Sequence, residues 1–360
     1  RIEPPPPPPP APVEPAPTEQ LARVDPVTEA PPPAASEADA VVERGKALLA
    51  RGDAAGAYDL FERALALDPR HAEATRRRAG LRLQRGDLTG ARVDLDRAVA
   101  LDPSSAWSWL HRALARRGLG DLPGALSDVE RALEADPGYR LARTNLAVIR
   151  EDLGDVAGAE AAFAEAIALA PTDGGAYASR GASRVQRGDL AGGRADLDRA
   201  LELDPAHQVA LYARGRLRAQ TGDLRGAVDD WTRLLQHAPT FRNALIDRAR
   251  ARGGLGDAAG ALADAARLLE ANPRDAEALE LRGTLRAGQG DPQGGLDDLT
   301  LAVQAEPRFA LAWLNRGAVR LAIGDRAGAA SDLERALTLL PPGDPNRRRA
   351  EEALAALRGQ

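Results

Sequence analysis

Four histidines, 53 carboxylates and 48 basic side chains are the groups in this 360-residue chain that could move protons, hold a metal or bind an ion. Cysteine is absent, which excludes thiolate catalysis, Cys-ligated zinc and disulfides. His71, His111, His207 and His237 are scattered and form no metal-ligand spacing. Neither a Gly-x-Ser-x-Gly nucleophile turn nor a phosphate-binding Gly-x₄-Gly-Lys-Ser/Thr loop occurs. The acidic residues recur at fixed intervals, as helix caps and exposed helix faces do. The expectation is therefore a chain with no catalytic residues, no metal and no cofactor.

Charge narrows the partners. The formal net charge is −5, and the first 37 residues hold two arginines and six acidic side chains. What remains is close to neutral, which argues against a nucleic-acid or membrane-surface role. RNA binding by helical repeats would require a basic groove. Lys46 is the only lysine, a bias that a GC-rich genome would also produce. No apolar run approaches the roughly 18 residues of a membrane span, so no membrane insertion is expected. Absence of cysteine, a start without methionine and a proline-rich first segment fit an exported, periplasmic or envelope-tethered protein. A cytoplasmic protein fits nearly as well.

The elements that position these groups are legible from self-similarity. Residues 1–37 contain an unbroken run from Pro4 to Pro10 and a further run from Pro31 to Pro33. Such a segment favours extended polyproline II and reads as a disordered spacer or as a ligand for proline-reading domains. From residue 38 a 34-residue step takes over. Gly-Asp pairs stand at Gly52-Asp53, Gly86-Asp87, Gly120-Asp121 and on to Gly324-Asp325. Prolines follow at Pro69, Pro103 and on to Pro341, and a third ladder runs from Gly56 and Gly90 to Gly328. Each marker suits one point of a helix pair. Gly86 can end a helix in the left-handed conformation, Asp87 caps the next helix, and Pro103 cannot continue it. The Gly90–Ala91 step would leave a face without bulk for close helix approach. One pair alone cannot bury its apolar face, but stacked pairs can.

With the small residues Gly45, Ala79, Ala113, Ala147, Gly181, Gly215, Ala249, Gly283 and Gly317 at one position of the step, the chain resembles a tetratricopeptide repeat protein. Nine repeats would fill residues 38–343, and 344–360 would form a C-terminal capping helix. The resemblance implies an all-α, right-handed superhelical solenoid of antiparallel helix pairs, an α-α superhelix. It further implies a scaffold that binds a protein or peptide partner in the concave groove lined by the first helices. The alternative is that this is the interaction region of a larger protein whose catalytic domain lies outside the chain. Departures from the family pattern exist. The first aromatic position is aromatic only at Trp109, Tyr177 and Trp313, and arginine replaces the usual first-helix tyrosine almost throughout.

Those arginines follow a rule. Arginine occupies the seventh and eleventh places of a repeat, as in Arg180 and Arg184, wherever the twenty-third place is aspartate, as in Asp196. Seven repeats obey it; repeats 1 and 4 lack the aspartate and have each lost one arginine. The covariation predicts an Arg–Asp–Arg cluster between the two helices of a repeat, partly buried and internally paired.

Groove positions, read from the resemblance as the second, fifth, sixth, ninth and twelfth of each repeat, do not repeat. Trp107, Leu110, His111, Leu114, Leu141 and Asn145 fall there in repeats 3 and 4, with Arg76 and Arg77 beside them in repeat 2. Together they suggest an apolar pocket with a basic edge, suited to a peptide carrying an acidic residue. The plainer reading is that Trp107 packs on repeat 2 and the arginines are solvated. Tyr212 with Val209 makes a second patch, and Leu311, Leu314 and Leu321 a third.

Overall fold

The computed structural model describes residues 36–358, so the proline-rich segment expected to act as a spacer lies outside the described residues. Within them the chain is nineteen α-helices without a strand. The first eight are α1 (Glu37–Ala50), α2 (Ala54–Leu67), α3 (Ala72–Gln84), α4 (Leu88–Leu101), α5 (Ala106–Gly118), α6 (Leu122–Ala135), α7 (Arg140–Asp152) and α8 (Val156–Leu169). Then come α9 (Gly174–Gln186), α10 (Leu190–Leu203), α11 (Gln208–Gln220), α12 (Leu224–His237), α13 (Arg242–Gly254) and α14 (Ala258–Ala271). The last five are α15 (Ala276–Gly288), α16 (Pro292–Ala305), α17 (Ala310–Ala322), α18 (Arg326–Leu339) and α19 (Pro345–Arg358). Two compact units share them, with the division inside α9 between Ala176 and Tyr177.

The turn chemistry acts as the spacing predicts. All nine Gly-Asp glycines have positive φ, 76° at Gly86 and 83° at Gly52. Behind each, the chain doubles back so that the Asp53 and Gly52 amides donate to the Leu48 and Leu49 carbonyls, the paired bonds of a Schellman motif. The following aspartate then caps the next helix: Asp87 Oδ1 accepts from the Gly90 amide at 2.8 Å. Gly90 and its equivalents have a different role from the one their smallness suggests. A Cβ there would press first into the capping carboxylate of Asp87, and at the equivalent Gly56 into both Asp53 and Leu48 of the preceding helix. Close backbone approach occurs elsewhere, where a Cβ on Gly283 would meet the Gly295 carbonyl at 2.9 Å.

In both units an odd-numbered helix pairs with the even-numbered helix after it, and that helix packs on the next odd-numbered one. Successive odd-numbered helices also touch directly, as α3 with α5 and α13 with α15 with α17. The first helices are thus the more crowded row, on the inner side of each stack. The core between the rows is mostly alanine and leucine. Its largest buried side chains are Phe61, Phe163 and Trp231, one per repeat at the twenty-fourth place. Both described ends are capped. Ser36 and Asp39 form a reciprocal capping box on α1. At the other end α19 buries Ala350 and Leu354 against α18 and α17.

The Arg–Asp–Arg cluster is present in all seven repeats that carry the residues. In repeat 5 the Arg180 guanidinium grips both oxygens of Asp196, at 2.7 and 2.8 Å, and Arg184 Nη1 adds a third bond at 2.9 Å. The same fork recurs at Asp94, Asp128, Asp230, Asp264, Asp298 and Asp332. Each of these aspartate residues is 5% exposed or less. The second arginine also donates to the carbonyl of the third-ladder glycine, as Arg82 to Gly90 at 3.0 Å. That bond explains why repeat 4 keeps Arg150, which donates to the Gly158 carbonyl although alanine replaces the aspartate at the twenty-third place. Repeat 4 fills the rest of the space with Leu146, Ala162 and Phe163, all buried.

Removing a buried carboxylate strands two guanidiniums, whereas replacing a whole buried ionic set with packed apolar groups is often neutral. Urea unfolding of Asp196→Ala should therefore show a loss of about 3–5 kcal/mol. The triple substitution Arg180→Leu, Asp196→Ala, Leu197→Phe copies repeat 4 and should recover most of it. Equal losses in the two chains would overturn the account.

Candidate functional site

The inner face of the first unit is built on one stripe of α3. Arg76, Gly80 and Leu83 lie at i, i+4 and i+7, hence on one side of the helix. Trp107, in the first turn of α5, lies over this stripe. A Cβ on Gly80 would sit 3.8 Å from the indole, and Leu83 packs in the same cluster as Trp107. The other flank of the indole stacks on His111, with ring centroids 3.8 Å apart and planes inclined by 20°. His111 is completely buried, and its Nδ1 lies 2.8 Å from the Trp107 carbonyl. A carbonyl only accepts, so Nδ1 carries the proton. Burial pulls the imidazole from its ordinary 6.5 down to about 4. The ring is then neutral and leaves Nε2 as a bare acceptor. Neither Nε2 nor the buried indole Nε1 finds a hydrogen-bond partner.

Around this pair the predicted residues separate. Trp107, Leu114 and Leu141 keep part of their surface open. Arg77 is held by Glu73 at 3.1 Å, while Arg76 has only a loose approach of 3.8 Å to Asp102. Leu110, His111 and Asn145 are corrected from groove-lining to interior positions. Leu110 belongs to the core formed with α6, α7 and α8, His111 lies beneath the indole, and Asn145 turns back to donate to the Leu141 carbonyl at 2.8 Å.

Tyr212 lies in the second unit. Its hydroxyl donates to Asp247 at 3.0 Å and its ring meets Phe241 at 5.2 Å between centroids. Burial, reinforced by the Asp247 charge, pushes the phenol above its usual range, and burial likewise raises Asp247. The row continues through residues that the sequence reading passed over. Glu277 accepts from Arg250 at 2.8 Å and Arg242 at 3.0 Å. The buried Glu280 accepts from Asn315 at 2.5 Å and Thr284 at 3.1 Å and is raised by burial. A signal existed: Tyr212–Asp247, Arg242–Glu277 and Glu280–Asn315 are each 35 residues apart, one repeat plus one residue. Val209 packs beside Tyr212, while Leu314 is buried and Leu311 partly so, against α19.

Among the described residues no three His, Asp, Glu or Cys side chains gather as metal ligands, and no helix is long and apolar enough to cross a membrane.

A family model described as tetratricopeptide repeat matches residues 42–106, 110–174, 179–240, 246–305 and 281–345. The chain belongs to the tetratricopeptide repeat family. Members of this family are, in general, modules of protein–protein interaction. Among solved structures, the APC/C hetero-tetramer Cut9-Hcn1 is similar at 15% identity and a TM-score of 0.56, over 79% of this chain and 56% of that one. This chain thus spans little more than half of that relative's length. A tetratricopeptide repeat protein from Parabacteroides merdae ATCC 43184 is similar at 21% identity and a TM-score of 0.49, over 70% of this chain and 98% of that one. Yeast Tom70 is similar at 14% identity and a TM-score of 0.46, over 90% of this chain and 96% of that one. No curated protein sequence matches.

Within the tetratricopeptide scaffold His111 has a measurable signature. Its folded value is depressed, so the unfolded chain takes up the proton first as pH falls. Stability from this group is complete above 6.5 and is lost on the way down to about 4. Over that interval wild type should lose about 3 kcal/mol more than His111→Phe in urea unfolding. Parallel pH profiles would show that the imidazole is not buried neutral.

Proposed function

We propose that this tetratricopeptide array is a non-catalytic scaffold that holds an extended or helical peptide of a partner protein against the first-helix row of its repeats. The observation that carries this reading is the contrast between the two kinds of position. Places that repeat are satisfied internally: caps by backbone amides, clusters by their own guanidiniums. First-helix places that do not repeat keep partly open aromatic and aliphatic surface at Trp107, Leu114, Leu141 and Tyr212. Large apolar side chains of this kind, rimmed by arginine, are what interfaces use as anchors.

In the first unit the basic rim favours a peptide with acidic residues. Arg76 and Arg77 stand one turn from the indole seat, and Arg76 is the less committed. Nucleic acid is a poor fit to a row in which carboxylates stand beside the arginines, as Glu277 does beside Arg242 and Arg250.

A photo-crosslinking residue at position 114 should capture a partner from an extract of the source cells. The same residue at position 93 should not, since Val93 is 54% exposed on the opposite, second-helix row. Equal capture from both sites would overturn the assignment of the face, and capture of RNA alone would overturn the class of partner.

A further inference from the structure

Nine acidic residues are buried among the described residues. Seven are the aspartates of the Arg–Asp–Arg clusters, and an eighth, Asp275, accepts from Arg242 at 2.6 and 2.8 Å. The ninth is Glu280, 4% exposed. Its two donors, Asn315 Nδ2 and Thr284 Oγ1, are both neutral, and among the described residues it makes no salt bridge. Arg250, whose charge is felt at Glu280, is itself held by Glu277 at 2.8 Å. A buried carboxylate without a counter-ion is costly, and this chain avoids it everywhere else.

Both donors meet the same oxygen. Oε1 accepts from Asn315 at 2.5 Å and from Thr284 at 3.1 Å, and Oε2 accepts from no group among the described residues. Nor is Oε2 sealed. The side-chain atoms that are both enclosed and unpartnered are nitrogens of Trp107, His111, Arg143 and Arg252. The little surface that Glu280 retains therefore includes a bare carboxylate oxygen. The place is singular as well: Glu280 is the fifth residue of repeat 8, and the fifth place is acidic in no other repeat. It stands on the first-helix row where α15 meets α17. Small side chains continue both stripes, Ala287 beyond Thr284 on α15, and Ala318 and Ala322 beyond Asn315 on α17.

We propose that Glu280 is the seat of a lysine side chain belonging to the peptide that the first-helix row holds. The proposal rests on the scaffold reading above and assigns one partner chemistry to the second unit. A bare carboxylate oxygen accepts any N–H or O–H donor, but a cationic donor adds Coulomb attraction that water screens poorly at a buried group. The clusters show what arginine takes from a carboxylate in this chain: both oxygens, gripped by Nε and Nη2, as Arg282 grips Asp298. At Glu280 one of the two is occupied by Asn315 and Thr284, so the fork has nothing to close on. An ammonium is a point charge that needs only one oxygen, and its slim stem can lie along the alanines. The chain does not supply this cation to itself. Its only lysine, Lys46, stands in the first unit and is bonded to Glu43 at 2.8 Å. The lysine therefore comes from the partner.

A subtractive selection tests this. A random dodecapeptide display library is captured on the full chain and then challenged with Glu280→Gln, which keeps the shape and an acceptor for Asn315 but removes the charge. Peptides that wild type retains and the variant does not should share a lysine. Replacing that lysine with norleucine should weaken binding to wild type by about tenfold or more, the worth of one charge-assisted hydrogen bond. The same replacement should leave binding to Glu280→Gln unchanged. Norleucine alters only the peptide, so its effect on wild type cannot come from a misfolded array. Enriched peptides of which none depends on Glu280, or Glu280-dependent peptides that tolerate norleucine or carry no lysine, would overturn the lysine seat while the first-helix reading stands. Enrichment of no peptide at all would overturn both.

Discussion

The scaffold hangs on a carboxylate held between two guanidiniums. Seven times the aspartate on the second helix of a repeat accepts a two-pronged grip from one arginine of the first helix and a third bond from another. Three directional bonds set the rotation and the longitudinal register of one helix against the other. An alanine-rich core could not do this alone, because small side chains interlock weakly and allow helices to slide. The first arginine also reaches back to the preceding repeat, to Asp96 from Arg112 and to Asp198 from Arg214. Thr232 and Thr300 take that place for Arg248 and Arg316. The remaining family aromatics cover the same guanidiniums: Trp109 stacks on Arg112 and Trp313 on Arg316, both at 4.7 Å.

This device was legible in the sequence because its exceptions coincide. Loss of the aspartate in repeats 1 and 4 goes with loss of an arginine, a pattern that a solvated charge stripe would not show. Turn glycines, capping aspartates and the C-terminal capping helix were legible for a similar reason: each depends on a few residues close in sequence. The role of Gly90 was not, since glycine at that place fits two geometries and only coordinates separate a crowded cap from a close helix crossing.

The inner face was less readable. Its positions can be counted from the resemblance, but counting does not say which of them the next first helix covers. Leu110 and Asn145 are buried. Tyr212–Asp247 and Glu280–Asn315 needed the additional step that neighbouring first helices align with an offset of one residue. The pairing of Gly80 with Trp107 spans two repeats and involves a residue with no side chain at all, so no chemical type announced it. Orphaned nitrogens on buried rings are a property of three dimensions only.

One consequence concerns how such a chain changes length. Each aspartate finds both of its arginines within 16 residues of itself, inside a single 34-residue step. An in-frame duplication or deletion of one step therefore carries the buried charge and its counter-charges together. The new junction strands no member of these clusters, and only the pairs that cross between repeats, such as Glu280 with Asn315 and Tyr212 with Asp247, have to be matched anew. A lineage can lengthen or shorten the array by whole steps without passing through an unfolded ancestor, and the inner face is then free to diverge copy by copy.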